Sequence, residues 1–147
     1  MDGNAGLGLT VDCHDAQLVA EFWRHALGYV MAPPPAGWSD WESFLQDYDV
    51  PEEEWADGAS IRPATGEGPS MSFLAVPEAK TVKNRVHLDL KVSGGRDVDQ
   101  ALRESRIRST EADLVTHGAT RQREDLVDGR LDHVVMQDPE GNEFCIV

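Results

Sequence analysis

KNRVHLDLKV, residues 83–92, is the stretch on which the fold turns. Val86, Leu88, Leu90 and Val92 alternate with His87, Asp89 and Lys91, the two-residue period of a β-strand that turns one row into a core. The second row is an imidazole, a carboxylate and an ammonium. It faces solvent, a metal or a ligand, and which of these it is depends on what surrounds it.

The same pattern occurs half a chain earlier. In LGLTVDCHDAQLVAEFWRHALG, residues 7–28, Leu7, Leu9, Val11 and Cys13 alternate as a half-buried strand. Asp15 follows as a helix N-cap, Val19, Phe22, Trp23, Ala26 and Leu27 line one helical face, and Gly28 stops the helix. After residues 83–92, SGGRD forms a turn and a helix is expected from Val98 to His117, before Gly118. Its apolar stripe runs through Leu102, Ile107, Leu114 and Val115, with Glu111 as an interruption. Superposing Leu9, Val11 and Cys13 on Leu88, Leu90 and Val92 moves the chain by about half its length, which suggests duplication.

Each helix is followed by segments suited to antiparallel strands. In the first half these are expected near Trp38–Leu45, Ala59–Arg62 and residues 70–76, SMSFLAV. In the second they are expected near Ala119–Arg123, at residues 131–137 and at the closing EFCIV. APPPAG, residues 32–37, reads as a stiff connector, and the acidic residues 46–58 as a loop with one helical turn. Neither half buries a sheet well alone. The expected fold class is therefore α+β: one domain of two βαβββ modules, about 6–77 and 84–147, forming a curved mixed sheet around a cup with the helices on its convex side. Leu9, Val11, Cys13, Leu88, Leu90 and Val92 then face the helices. Gly8, Thr10, Asp12, His87, Asp89 and Lys91 face the cup.

Bulk composition narrows the function. Hydrophobic residues make up 40% of the 147, with no apolar run near the roughly 18 residues that cross a bilayer. The 13 Lys and Arg against 27 Asp and Glu give a formal charge of -14, a field that repels nucleic acid and anionic membranes. It suits solubility and favours cationic ligands. Cys13 and Cys145 lie too far apart in the sequence for a disulfide framework or a zinc knuckle, and the start of the chain shows no export signal. A reducing cytoplasm is the expected location.

Together these features resemble the vicinal oxygen chelate superfamily of glyoxalases, bleomycin resistance proteins and extradiol dioxygenases. The likeness is carried by VDCHDAQLVAEFWRHALGY, NRVHLDLKV and DHVVMQDPEGNEFCIV, and VPEAKTVKNRVHLDL with DPEGNEFC is similar to the actinobacterial glyoxalase-like group. The resemblance implies paired βαβββ modules, usually a homodimer, and a cup that often holds a divalent metal on His and Glu from symmetric strands. His87 matches the second-module His, whereas Gly8 stands where the first-module His belongs. The closing Glu position falls on Cys145, with Glu143 two residues earlier on the same side of the strand. The strand at 70–76 offers only serine hydroxyls.

The candidate metal ligands are thus His87, Glu143 and Cys145, with Asp89 as a further donor and zinc as the ion suited to thiolate and imidazole. The competing reading has His87 hydrogen-bonded to Asp89 or a cross-strand partner. Candidate ligand-binding residues are His87, Asp89 and Thr10 from the cup, and Trp38 and Trp41 from a loop over its mouth. No catalytic residue is identified. His14, His25, His117 and His133 have surface or capping roles, His133 reaching the cup in one register. Lys80, Lys83 and Arg85 pair with acidic residues or hold an anion. The function expected is binding of a small molecule, of sequestering or resistance type. The alternative is a metal-dependent lyase, isomerase or dioxygenase.

Overall fold

The computed structural model describes residues 6–147. The chain divides into two compact units, one reaching Ala79 and the other spanning Lys80–Val147. Each is a βαβββ module with a four-stranded mixed sheet, so the chain is α+β as expected.

In the first unit β1 (Gly8–Cys13) leads into α1 (Ala16–Leu27). Asp15 caps α1 by accepting the Leu18 N–H at 2.9 Å, and Gly28 ends it at φ 64°, a left-handed conformation that costs glycine little. Val19, Phe22 and Trp23 are buried on the face that packs on the sheet. At roughly 1.5–3 kcal/mol per buried large side chain, that face outweighs the cap's contribution of about 1 kcal/mol. Packing holds the helix, and the cap fixes where it starts.

The remaining strands are β2 (Val30–Met31), β3 (Gly58–Arg62) and β4 (Ser70–Ala75), in the spatial order β1-β4-β3-β2 with β1 parallel to β4. The strand expected near Trp38–Leu45 is instead a helix, α2 (Trp41–Asp47). Asp40 decides this, its carboxylate accepting both the N–H of Ser43 at 2.8 Å and the Ser43 hydroxyl at 2.7 Å. The place in the sheet goes to the two-residue β2, which pairs with Arg62 and Ile61. A short 3-10 turn at Glu52–Asp57 fills the acidic loop.

The second unit repeats the plan with β5 (Leu88–Leu90), α3 (Gln100–Thr116), β6 (Thr120–Val127), β7 (Arg130–Gln137) and β8 (Glu143–Ile146). Its order is β5-β8-β7-β6, with β5 parallel to β8. The strand expected across residues 85–92 is thus reduced to three residues. Its ladder runs only along the short β8, and Val86 is exposed. Leu90, Val134, Met136, Phe144 and Ile146 form the buried row.

The buried face of α3 also differs from the expected stripe. Leu102 and Val115 are exposed, while Arg103, Ile107, Glu111 and Leu114 are buried. Glu111 is accommodated by an ion network between α3 and β6. Arg121 donates from Nε to one of its oxygens and Arg108 from Nη1 to the other at 3.2 Å, while Arg108 also grips Glu124 with both nitrogens at 2.5 and 3.0 Å. The apparent interruption is the centre of a charged seam.

Candidate functional site

Cross-strand register shows what the polar row meets. Asp89 pairs with Cys145 and Cys145 with Val135, placing the three side by side across β5, β8 and β7. Asp89, Lys91, His133, Cys145 and Val147 line a hollow of about 610 Å³, which is completed by Ser93, Gly94, Gly95, Arg96, Arg103 and Asp132. Asp89 and Lys91 of the polar row therefore face a cavity of small-molecule size, whereas His87 is not part of its lining.

The hollow is wired by charge. Asp132 pairs with Arg96 at 2.9 Å and lies 3.0 Å from His133 Nδ1. His133 Nε2 lies 3.0 Å from Asp125, which in turn accepts from Arg123 at 3.0 Å. The hydrogen bond with His133 holds the Asp132 carboxyl below the usual range. Burial opposes this, and the charges of Arg96 and Arg103 assist it. Arg103 is 8% exposed. It donates to Gln100 Oε1 at 3.2 Å, and its Nε is buried with no partner. Leaving such a donor unmet costs about 1–3 kcal/mol.

The three metal-ligand candidates are engaged separately. Glu143, 7% exposed, accepts the backbone N–H of Asn84 at 2.9 Å and the Lys80 ammonium at 3.2 Å. Burial alone would raise its carboxyl, but these donors and its own backbone N–H outweigh it and the net shift is downward. His87 Nε2 lies 2.7 Å from Lys83 Nζ and 3.2 Å from the Asn84 carbonyl, not on Asp89. Burial pushes the Cys145 thiol up, and the charge of Asp89 and its hydrogen bond to the sulfur push it further. A thiol held protonated is a poor ligand and a poor nucleophile.

The first unit supplies no counterpart. Thr10 pairs with Ser72 where the second unit pairs Asp89 with Cys145, and the Ser72 hydroxyl lies 3.1 Å from that of Ser60. Donors of this kind do not fit the open three-ligand centre that a catalytic divalent ion requires. Trp38 donates to Asp47 at 2.7 Å and Trp41 to the Ala32 carbonyl at 2.9 Å. With Phe44 and Tyr48 they form an aromatic cluster around α2.

Of the candidates read from sequence, Asp89 and Cys145 line this hollow and His87 and Glu143 do not; His133, read as a surface or capping residue that reaches the cup in one register, lines it too, and Arg96, Arg103 and Asp132 were missed. The signal available for Arg103 was its place on one helical line with Ile107, Glu111 and Leu114.

The family model described as a glyoxalase-like domain matches residues 8–147. The chain belongs to the glyoxalase-like domain family. Among curated proteins none matches. Solved structures resemble it along almost their whole length. A glyoxalase/bleomycin resistance protein/dioxygenase family enzyme from Burkholderia phytofirmans is 13% identical, with 97% of each chain covered and a TM-score of 0.60. A mutant of the fosfomycin resistance protein FosX from Listeria monocytogenes, complexed with Mn(II) and 1S,2S-dihydroxypropylphosphonic acid, is 9% identical. It has a TM-score of 0.59, with 98% of this chain and 90% of that one covered. FosX from Mesorhizobium loti is 11% identical with a TM-score of 0.56, covering 99% and 90%. At such identities the likeness speaks for the vicinal oxygen chelate fold and leaves the chemistry to the site.

Proposed function

We propose that this glyoxalase-like protein is a small-molecule-binding member of the vicinal oxygen chelate superfamily, of sequestering or resistance type, whose ligand sits in the hollow lined by Asp89, Lys91, His133 and Cys145. The observation that carries this reading is the pairing of a cavity of about 610 Å³ with metal-ligand candidates already committed to protein partners: Glu143 to Asn84 and Lys80, and His87 to Lys83 and Asn84. Binding needs only shape and a few placed polar groups. A homodimer belongs to this reading, with edge strand β6 exposing Leu126 and Val127. No helix among the described residues is long and apolar enough to cross a membrane.

The metal-dependent lyase, isomerase or dioxygenase is the second reading. It is favoured by Glu143 and Cys145 pointing to one side of β8 beside Asp89, and by the Mn(II) in the FosX relative. Elemental analysis of protein purified without chelator, repeated on His87→Ala, separates the two. Substoichiometric metal, unchanged by the substitution, is the expected result. One divalent ion per chain, lost in the variant, would overturn the first reading.

A further inference from the structure

We propose that the hollow of the second unit is an oxyanion receptor, in which Arg103, with Arg96 and Lys91, holds the carboxylate or phosphonate head of a small organic ligand. This rests on the hollow being the ligand site and adds the charge and shape of what enters it.

Arg103 carries the inference. A guanidinium has five N–H donors, yet among the described residues Arg103 meets one side-chain acceptor, Gln100, and its buried Nε has none. A cation this deep is ordinarily matched by an anion and saturated with hydrogen bonds. Asp132, whose carboxyl feels the charge of Arg103, gives its close contacts to Arg96 and His133. The other carboxylate of the lining, Asp89, sits opposite Cys145 on the neighbouring strand. Arg103 also borders a second hollow of about 390 Å³, which it shares with Arg96, Asp128, Arg130 and Asp132.

The balance of charge agrees. Among the charged side chains of the lining, Lys91, Arg96 and Arg103 outnumber Asp89 and Asp132, in a chain whose formal charge is -14. A planar guanidinium fork matches two oxygens of a carboxylate or phosphonate. Gly95 leaves part of one wall open, since a Cβ there would meet nothing within 4 Å, whereas Gly94 is packed against Arg106 and Val98. Val147, Cys145 and the methylene stems of Lys91 and Arg96 offer an apolar surface for the organic body.

The test is a titration of the full-length ¹⁵N-labelled protein with benzoate, phenylphosphonate, benzyl alcohol and benzylamine, followed through backbone amides and arginine Nε–Hε signals. Saturable binding of the two anions is expected, with the Arg103 Nε–Hε signal moving and affinities at least tenfold above those of the alcohol and the amine. Their relative affinities distinguish carboxylate from phosphonate. Arg103→Met should weaken both anions at least tenfold. Lys91→Ala and Arg96→Ala, at exposed positions that leave the core intact, should each weaken them at least threefold with benzylamine unaffected. Alcohol or amine binding in the hollow as tightly as the anions, or anion affinity unchanged in all three variants, would overturn the oxyanion assignment and leave the binding site standing. No response of the hollow to any of the four probes would remove both.

Discussion

Glu143 and Asn84 are joined across 59 residues of sequence: the carboxylate at the start of β8 accepts the backbone N–H of Asn84 at 2.9 Å, and Lys80 reaches the same oxygen at 3.2 Å. The segment leading into β5 is thereby fastened to the closing strand. A position two residues from the one where a metal-binding relative would place its closing glutamate serves here as a clasp.

Glu143→Gln keeps the shape and one acceptor but removes the charge that matches Lys80. Hydrogen bonds to charged groups contribute about 1.5–3 kcal/mol, and a loss of about 1–2 kcal/mol is expected in urea unfolding. Faster amide exchange should be confined to residues 80–88. The Glu143 carboxyl lies below its usual value when folded, so its contribution is complete above the unfolded value of about 4.3 and disappears as pH falls through the lower folded one. The variant should flatten that acidic limb of the stability curve. An unchanged limb would mean that the clasp contributes nothing.

The seam between α3 and β6 makes a second prediction. Glu111 is 6% exposed and bridges Arg108 and Arg121. Glu111→Ala removes the bridge and opens space, at a cost of about 2–3 kcal/mol. Glu111→Met fills the space while Arg108 keeps Glu124, and should cost less than the alanine. Thermal unfolding of the two variants checks the order. Equal losses would assign the effect to charge alone.

The parts of this molecule legible in sequence were those set by local rules. Strand alternation in β1, the Asp15 cap and the Gly28 stop of α1, and the repetition of the plan all follow from spacing. The segment at Trp38–Leu45 misleads because its aromatics suit a strand, while Ser39 and Asp40 are an N-cap signal that wins locally. β2, at two residues, is too short to show a period. At the site, Asp89 and Cys145 were visible as candidates on two strands, and His133 only as a residue that reaches the cup in one register. Arg96, Arg103 and Asp132 come together only through the turn after β5 and the approach of α3, a long-range arrangement that no spacing encodes.

Gly28→Ala tests the end of α1 in isolation. A Cβ there would meet nothing within 4 Å, so the cost is the left-handed backbone alone. That amounts to about 1–2 kcal/mol, and Gly28→Asn should cost less because asparagine tolerates this conformation. Urea unfolding of both variants reads the difference. A larger loss for asparagine would point to a contact at Gly28 and away from backbone strain.

The last prediction concerns Cys145 and Asp89, neighbours across β5 and β8. Burial, then the charge and hydrogen bond of Asp89, hold the thiol above its ordinary range. At pH 8 Cys145 should therefore be alkylated by iodoacetamide far more slowly than an unstructured cysteine peptide, since only the thiolate reacts. Asp89→Asn removes the neighbouring charge while burial remains. Its rate profile, followed at Cys145 by peptide mass spectrometry, should shift to lower pH without reaching that of the free peptide. A profile that does not move would leave burial and the charge of Asp125 as the causes and separate Asp89 from the sulfur. If the wild-type thiol reacted readily at neutral pH, Cys145 would regain its place among nucleophiles and metal ligands, and the hollow would have to be reconsidered as a catalytic one.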